Sequence, residues 1–355
     1  MPRIAELGLE LNGEELAAFD ARVRTLDHFL STPVQELEVR AGPSNKDVTE
    51  KVVATMLRAV EQHVAPQPTS GTQLMEMLAK ECRLLPTGCR TVDALLHGGL
   101  REGQHTEVIG GSGTGKTQLC HMAAVSTAAR GERVVYIDTA GQFSATRAAQ
   151  LQPAAAAAAA ASFPKDPATG QPRPPTVEET LGLIQVHRAH DAYAVLAALE
   201  SVIVQEMQPL PEDVRGEKIA LIVVDSPTTT LMPGSGGGSQ MGQAIGASLG
   251  RLLRHIADAG ALAVLTTNWT TQEDRAWGGH GGGGSGEPEW MTHRGAMGES
   301  WRAQAAVRVH LAREGDNRED AAVSMVLTQS PLYAPLVGGV ARFRIRPEGL
   351  VGIDG

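Results

Sequence analysis

One short run of glycines ahead of a lysine limits what this chain can fold into. The segment from Gly110 to Thr117 fits the phosphate-loop pattern G-x4-G-K-[ST]. Glycines let the backbone adopt positive φ, so that its N–H groups can point inward at phosphate oxygens. Lys116 can reach the β- and γ-phosphates, and the Thr117 hydroxyl can bind Mg²⁺. The segment therefore predicts a nucleotide site that includes a magnesium ion.

The flanks of the loop have the context that the pattern needs. Thr106–Ile109 is typical of a short strand, and Gln118 to Ala129 is typical of a helix whose N-terminal dipole favours an anion. We predict that the nucleotide-binding residues at this point are Gly110, Gly111, Ser112, Gly113, Thr114, Gly115, Lys116, Thr117 and Gln118.

Composition excludes several classes of protein. The formal charge is −9, so the chain as a whole is no electrostatic match for nucleic acid, and any DNA contact must be local or supplied by partners. The three cysteines are odd in number and lack metal-site spacing, which favours reduced thiols in an intracellular compartment. No apolar run approaches the about 18 residues of a membrane-spanning helix, and we expect no secretory signal at the N-terminus.

Two domains are predicted. Residues 1–64 show apolar positions at helical spacing, which predicts a small all-α N-terminal domain. Its apolar stripe is expected to form the core of a helical bundle, and a partner-binding groove is the alternative. Residues 65–82 are predicted to be a linker, because they contain Pro and Gly, and residues 83–355 are predicted to be the second domain.

The second domain alternates strands with helices, which predicts a mostly parallel sheet covered by helices on both faces. A terminal antiparallel extension is expected from later strand-like runs that have no helix between them. The predicted strands are 104–109, 133–138, 183–187, 219–224, 261–266, 305–311, 323–328 and 341–346, and the predicted helices are 116–130, 191–206 and 240–259.

Three stretches depart from this alternation. Residues 153–175 contain eight consecutive alanines and then a Pro-rich segment, and we interpret them as a flexible surface insertion. Residues 233–239 and 278–286 are Gly-rich, and we expect 278–286 to be flexible as well. Both Gly-rich stretches follow strand ends where ligands bind in open α/β sheets, so they are candidate functional loops or spacers.

A second strand completes the predicted metal site. The apolar run that begins at Ala220 ends in Asp225, and an acid at this place holds Mg²⁺ directly or through water in phosphate-loop proteins. A buried strand that ends in Asp merely to form a turn is the alternative. Thr117 and Asp225 are the predicted metal ligands.

Several motifs together resemble the RecA-like recombinase family. The segments Leu85–Leu100, Tyr136–Gly141, Val223–Ser226 and Leu265–Asn268 are similar to the family's segments around the phosphate loop. Val23–Leu37, the linker, and Gly298–Trp301 with Arg308 resemble the D-type eukaryotic recombinase paralogues. The resemblance is strongest over residues 83–147 and implies a RecA-like P-loop ATPase core.

The resemblance also implies a function. The family binds ATP with Mg²⁺ and acts in homologous-recombination repair in the nucleus. D-type members act in a complex of several paralogues that assists the main recombinase on single-stranded DNA, and they contact other paralogues through the N-terminal domain and the ATPase domain. By position, Arg147 would lie on the adenine, and Lys116 and Asn268 would have catalytic roles, Asn268 as the sensor of the γ-phosphate.

Two departures from the family predict slow hydrolysis. The family places a Glu after the second strand, in Thr-Glu-Gly, to polarise the attacking water, whereas this chain has Thr139-Ala140-Gly141. A methyl group cannot accept a proton or orient water, so general-base help, typically about 10²–10⁴-fold, is missing. Active members also place a Gln after the Asn, where this chain has Trp269.

DNA binding and self-association are both expected to be weak. Pro227 to Gly250 contains no Lys or Arg, and Trp269 to Gly298 contains two Arg against four acidic residues. Trp269, Trp277 and Trp290 can stack on unpaired bases, although packing against their own domain is the more common use of loop tryptophans. The linker lacks the Phe-x-x-Ala hook of filament formers. Its segment Gln73–Leu78 is either a docking segment for another subunit or the first helix of the ATPase domain.

Three functions remain to be compared. An ATP-binding subunit of a recombination complex fits the observations best. A filament-forming, DNA-dependent ATPase with its own strand exchange is the alternative, and Ala140, Trp269 and the acidic loops disfavour it. A phosphoryl-transfer kinase would need an Arg-rich substrate lid, which the long loops lack.

Overall fold

The structure is a computed structural model of the chain. It describes Ala54, Arg58 and the ranges 68–81, 83–160, 173–207, 218–231, 240–260, 262–271, 294–314, 321–333 and 339–353. Contacts divide the chain into two units, Met1–Glu76 and Met77–Gly355. The predicted N-terminal helical domain lies outside the described residues apart from Ala54 and Arg58, and so do the Gly-rich stretches 233–239 and 278–286. Their predicted structures, and the predicted domain limits, stay predictions.

Part of the predicted linker is a helix. Helix α1 spans Gly71–Glu81 and includes the segment Gln73–Leu78, for which both alternatives, a docking segment and the first helix of the ATPase domain, stay predictions. Ser70 caps it at the start, because the backbone N–H of Gln73 donates to the Ser70 hydroxyl at 3.2 Å. Leu74 and Met75 are exposed on this helix.

A ten-stranded sheet forms the centre of the second unit, beside a separate two-stranded sheet made by the first two strands. The strands are β1 (Leu84–Leu85), β2 (Leu100–Arg101), β3 (His105–Gly110), β4 (Arg133–Asp138), β5 (Ile184–Arg188), β6 (Ile219–Asp225), β7 (Ala263–Thr271), β8 (Arg294–Gly295), β9 (Val307–Arg313), β10 (Val323–Gln329), β11 (Val340–Arg346) and β12 (Gly349–Ile353). The order across the large sheet is β12-β11-β10-β9-β3-β7-β6-β4-β5, and β8 pairs with β7.

The direction of the strands follows the connections between them. From β9 through β3, β7, β6 and β4 to β5, all neighbouring pairs are parallel. Parallel neighbours need a crossover, usually a helix, and are buried on both faces; β6 accordingly is buried at every position. From β9 to β12 the pairs are antiparallel. The predicted mostly parallel sheet and its antiparallel extension are therefore confirmed.

Helices cover both faces of this sheet. Because successive side chains of a strand point to opposite faces, Val134 and Tyr136 of β4 join one apolar cluster, while Val135 and Ile137 join the other. Helices α3 (Lys116–Ala128) and α4 (Ala145–Ala158) contribute to the first cluster, and helices α6 (Ala192–Met207) and α8 (Gln240–Gly260) contribute to the second. The helices are α2 (Arg90–Leu95), α3 (Lys116–Ala128), α4 (Ala145–Ala158), α5 (Val177–Gly182), α6 (Ala192–Met207), α7 (Pro227–Leu231), α8 (Gln240–Gly260) and α9 (Gly298–Arg302).

The alanine run corrects one prediction. Residues 153–158 were predicted to begin a flexible surface insertion, but they form the second half of α4. Alanine is the strongest helix former, and a stripe at helical spacing packs into the first apolar cluster, namely Ala148, Leu151, Ala155 and Ala159. The prediction of a flexible insertion is wrong for residues 153–158. Residues 161–172 lie outside the described residues.

Candidate nucleotide-binding site

The predicted phosphate loop leaves the sheet at its centre. Strand β3, buried at all of its positions, lies between β7 and β9, and the loop after it leads directly into α3. Gly113 and Gly115 have φ of 74° and 95°, a region that favours glycine because it has no Cβ. A Cβ on Gly110 would lie 2.9 Å from the backbone oxygen of Leu311, so this position also requires glycine. The sequence pattern thus produces the tight turn that a phosphate cradle needs.

Lys116 is held inside this loop. Its ammonium group donates to the backbone oxygen of Gly110 at 2.8 Å and to that of Gly111 at 2.7 Å. Burial lowers the pKa of Lys116 from its ordinary value, and the nearby Asp225 carboxylate opposes this shift. A buried, positively charged group at the start of a helix is a favourable partner for phosphate.

A cleft of about 1050 Å³ opens beside the loop. Its volume is ample for a nucleotide. Most of the predicted residues line it: Gly111, Ser112, Gly113, Gly115, Lys116, Thr117, Gln118, Arg147 and Asp225. Gly110 and Thr114 stand behind the lining; the Thr114 hydroxyl donates to the Gly111 oxygen at 3.0 Å and so helps to fix the turn.

The two predicted metal ligands face the same cleft. Asp225 ends β6, and its carboxylate accepts hydrogen bonds from the Thr267 hydroxyl at 2.5 Å and from the Tyr136 hydroxyl at 3.1 Å. Each carboxylate oxygen can accept a further contact. A carboxylate and a hydroxyl are oxygen ligands of the kind that Mg²⁺ takes beside substrate phosphates, so Asp225 and Thr117 fit the ion.

Arg147 forms one wall of the cleft. Its guanidinium donates to the backbone oxygens of Arg346 at 2.6 Å and Pro347 at 2.5 Å, and to the Gln118 side chain at 2.8 Å. These bonds hold the planar group against the turn between β11 and β12. A planar cation in such a position suits contact with an aromatic base. The predicted adenine contact of Arg147 stays a prediction.

His121 connects the phosphate side of the cleft to this wall. Its Nδ1 donates to the backbone oxygen of Thr117 at 2.8 Å, and its Nε2 accepts from the backbone N–H of Ser144 at 3.1 Å. Burial lowers the pKa of His121, which favours the neutral ring with one donor and one acceptor that these two bonds require. Because Ser144 caps α4, which carries Arg147, the imidazole fixes one helix relative to the other.

Asn268 is not brought into the cleft. The side chain is only 1% exposed, its amide nitrogen donates to the Glu107 carboxylate at 2.8 Å, and its amide oxygen accepts from the Thr228 hydroxyl at 3.0 Å. The neighbouring Trp269 is 49% exposed and lines the cleft instead. Successive residues of β7 point to opposite faces, so the two side chains cannot both face the nucleotide site. In this arrangement Asn268 does not line the cleft, and its predicted contact with the γ-phosphate stays a prediction.

The segment that contains the phosphate loop matches the model of a known protein family. Residues 79–159 match the Rad51 family model. The chain carries a Rad51-type domain and resembles the RecA-like recombinases. It is 29% identical over 255 residues to the DNA repair protein RAD51 homolog 4 of Bos taurus, covering 71% of each chain. It is 27% identical over 297 residues to that of Mus musculus, covering 82% of this chain and 78% of the mouse protein.

A protein named RadA extends the similarity beyond the proteins named RAD51 homolog. The DNA repair and recombination protein RadA of Cenarchaeum symbiosum is 28% identical over 254 residues, which cover 68% of this chain and 56% of RadA. The chain is therefore homologous both to RAD51 paralogues and to recombinases. Among the residues that the structure describes, none of the helices combines the length and the hydrophobicity that a bilayer-spanning segment needs.

Two further residues, Arg313 and Gln142, line the cleft although the sequence did not point to them. Arg313 ends β9, and its guanidinium donates to the backbone oxygen of Gly113 in the loop. Gln142 follows β4, and its side-chain oxygen accepts from the Thr117 hydroxyl at 3.3 Å. The sheet topology explains the positions of both residues. Strands β9 and β4 run parallel to β3, so they end at the same edge of the sheet as the phosphate loop.

Ala140 lines the same cleft in the Rad51-type domain. It is exposed, and its backbone N–H donates to the Asp138 carboxylate at 3.2 Å. Its side chain offers a methyl group, which cannot accept a proton. The position at which the sequence predicts that a general base is missing therefore faces the candidate nucleotide site.

Proposed function

We propose that this protein is an ATP-binding recombinase paralogue that acts in homologous-recombination DNA repair. The observation that carries the proposal is the cleft in which Lys116, Thr117 and Asp225 meet beside the phosphate loop. The similarity to proteins named RAD51 homolog 4 supports the paralogue assignment. ATP with Mg²⁺ is the cofactor pair that this family normally uses, and the oxygen ligands present are compatible with it.

In the proposed function, this protein hydrolyses ATP slowly. The residue after Thr139 is Ala140, whose methyl group cannot act as a general base. Asn268 is engaged with Glu107 and Thr228, so it gives no direct help to the γ-phosphate in this arrangement. ATP then serves mainly to hold a conformation or a subunit interface.

The protein works with partners in this proposal. It is a subunit of a nuclear complex of several recombinase paralogues that assists the main recombinase on single-stranded DNA. The N-terminal domain and the ATPase domain each contact a different paralogue. The net charge of −9 supports this arrangement, because a negatively charged chain gains DNA affinity from positively charged partners.

Equilibrium binding of ATP to the purified full chain, with and without Mg²⁺, tests the proposal. Lys116→Ala should weaken binding by about 10- to 100-fold, because a charge-assisted hydrogen bond contributes roughly 1.5–3 kcal/mol. Lys218→Ala is the matched control: it removes an exposed lysine just before β6, at the opposite edge of the sheet from the phosphate loop. Absence of ATP binding by the parent chain would contradict the proposed function.

Partner binding needs a separate measurement. Co-expression with individual recombinase paralogues, followed by purification through a tag on this chain, should yield stoichiometric complexes. A chain that forms homopolymeric filaments and exchanges strands by itself would instead support the alternative of an autonomous recombinase.

A further inference from the structure

Gln142 lies on a rigid turn beside the phosphate loop. The Asp138 carboxylate at the end of β4 accepts hydrogen bonds from the backbone N–H groups of Gln142 at 3.0 Å and Phe143 at 2.9 Å, as well as from that of Ala140. Gly141 has a φ of 69°, which lets the chain reverse between Ala140 and Gln142. The backbone position of Gln142 is therefore fixed by one buried carboxylate.

The side chain of Gln142 reaches the phosphate end of the cleft. Its Oε1 accepts from the Thr117 hydroxyl at 3.3 Å, and Thr117 is a proposed ligand of the magnesium ion. Gln142 and Ala140 line the cleft from the same turn, on the side where Asp225 also stands. Two residues of this turn line the cleft, Ala140 and Gln142. The Ala140 side chain has no hydrogen-bonding group, whereas the Gln142 side chain has an amide.

An amide side chain can perform one of the two tasks of the missing Glu, namely the orientation of the attacking water. Its oxygen can accept a hydrogen bond from a water molecule while its nitrogen donates to a phosphate oxygen, so it can orient a nucleophile. It cannot take the proton, because an amide is not basic near neutral pH. A glutamine orients the attacking water in this way in several phosphate-loop GTPases.

We propose that Gln142 is a catalytic residue that orients the attacking water during the slow hydrolysis of ATP. This inference rests on the proposed function, because it assigns a role within the same site. The water oxygen bonds to the γ-phosphorus while the bond from that phosphorus to the bridging oxygen breaks, and the electron pair of that bond leaves with ADP. The proton of the water goes to an oxygen of the inorganic phosphate product, since no carboxylate at position 140 can receive it.

A purely structural role for Gln142 makes a different prediction. If the side chain only supports the Thr117 hydroxyl, its removal should weaken the binding of every nucleotide that uses Mg²⁺ at this site by the same factor. If it orients water, its removal should lower the affinity only for complexes in which the position of the attacking water is occupied and ordered. Transition-state analogues separate the two roles, since their extra affinity reports contacts made at the reacting centre.

The test compares affinities of the full chain for MgADP and for MgADP with aluminium fluoride, alongside ATP turnover. Gln142→Ala should lower the affinity for the aluminium fluoride complex and the turnover rate each by about tenfold, less than the loss of a true general base. Its affinity for MgADP should stay within about twofold. Gln185→Ala, at an exposed glutamine of β5, is the matched control and should change none of the three.

Each outcome decides the inference. Equal losses for both nucleotide complexes, or no loss for either, would overturn the catalytic role of Gln142 while leaving the proposed ATP binding intact. A parent chain that binds neither MgADP nor ATP would overturn the proposed function and the role of Gln142 together.

Discussion

At the scale of single residues, a methyl group faces the place where a carboxylate would assist hydrolysis. Ala140 lines the cleft close to Gln142, on a turn that the Asp138 carboxylate fixes. A side chain introduced at this position would start from an ordered backbone and extend towards the cleft. The residue therefore offers a direct test of why turnover is expected to be slow.

Ala140→Glu should raise ATP turnover by about 100-fold or more, because general-base catalysis typically contributes 10²–10⁴-fold. Turnover should be measured on the purified chain with and without single-stranded DNA. Ala140→Gln is the matched control: it has the same length but cannot accept a proton, so it should stay well below Ala140→Glu. Brisk, DNA-stimulated turnover by the parent chain would contradict the prediction.

A sequence places a side chain most directly where the residues of a site are contiguous, and least directly where the placement depends on the face of a strand. Lys116 and Thr117 lie in one contiguous motif, so their places in the cleft follow from the motif. Asn268 was predicted to face the γ-phosphate, yet the pleat of β7 turns it towards Glu107 and presents Trp269 to the cleft. A resemblance between motifs does not determine that choice, because it depends on the partners available on each face.

At the scale of elements, one buried carboxylate joins four of them. Glu107 of β3 is fully buried and accepts hydrogen bonds from Asn268 of β7 at 2.8 Å, Trp301 of α9 at 2.7 Å and Arg308 of β9 at 2.7 Å. The Arg308 guanidinium also donates to the Gln329 side chain of β10 at 2.6 Å. This network ties the central parallel strands to the antiparallel extension.

Glu107→Gln should lower the free energy of unfolding by about 3–5 kcal/mol, because it leaves the buried Arg308 without its counter-charge. Urea unfolding of the full chain measures the loss. Glu314→Gln is the matched control: it breaks an exposed ion pair with Arg342 and should cost less than about 1 kcal/mol. Adding Arg308→Met to Glu107→Gln should recover part of the loss, and a loss no larger than that of the control would contradict the role of the network.

Elements were predictable where their hydrophobic pattern was unambiguous. Strand β6 is a continuous apolar run, and its predicted range, 219–224, differs from the observed Ile219–Asp225 by one residue. Helix α4 escaped prediction because it carries Pro153 and a run of alanines, whose small side chains give little amphipathic contrast. Its burial depends on close packing against α3 and the sheet, which only the tertiary structure shows.

At the scale of the whole molecule, charge governs what this protein can bind without help. The chain carries a formal charge of −9, and the segments Pro227–Gly250 and Trp269–Gly298 together contain only two arginines and no lysine. Affinity for DNA depends mainly on neutralised phosphates, and each such contact adds to the salt dependence. With only two arginines, these two segments supply little electrostatic affinity for DNA, and salt screens what they do supply.

Binding of a fluorescent single-stranded oligonucleotide to the chain alone should therefore be weak and should fall by only about tenfold between about 50 and 200 mM salt, because the two arginines of these segments can neutralise about two phosphates. The same titration with a purified paralogue complex that contains the chain should show tighter binding, because positively charged surfaces of partners then contribute contacts. Replacing Glu287 and Glu289 by Gln changes the charge of the second segment from −2 to zero and should raise the affinity of the chain alone. Tight binding by the isolated chain that persists at high salt would contradict this view, because it would require stacking on aromatic residues rather than phosphate contacts to supply most of the affinity.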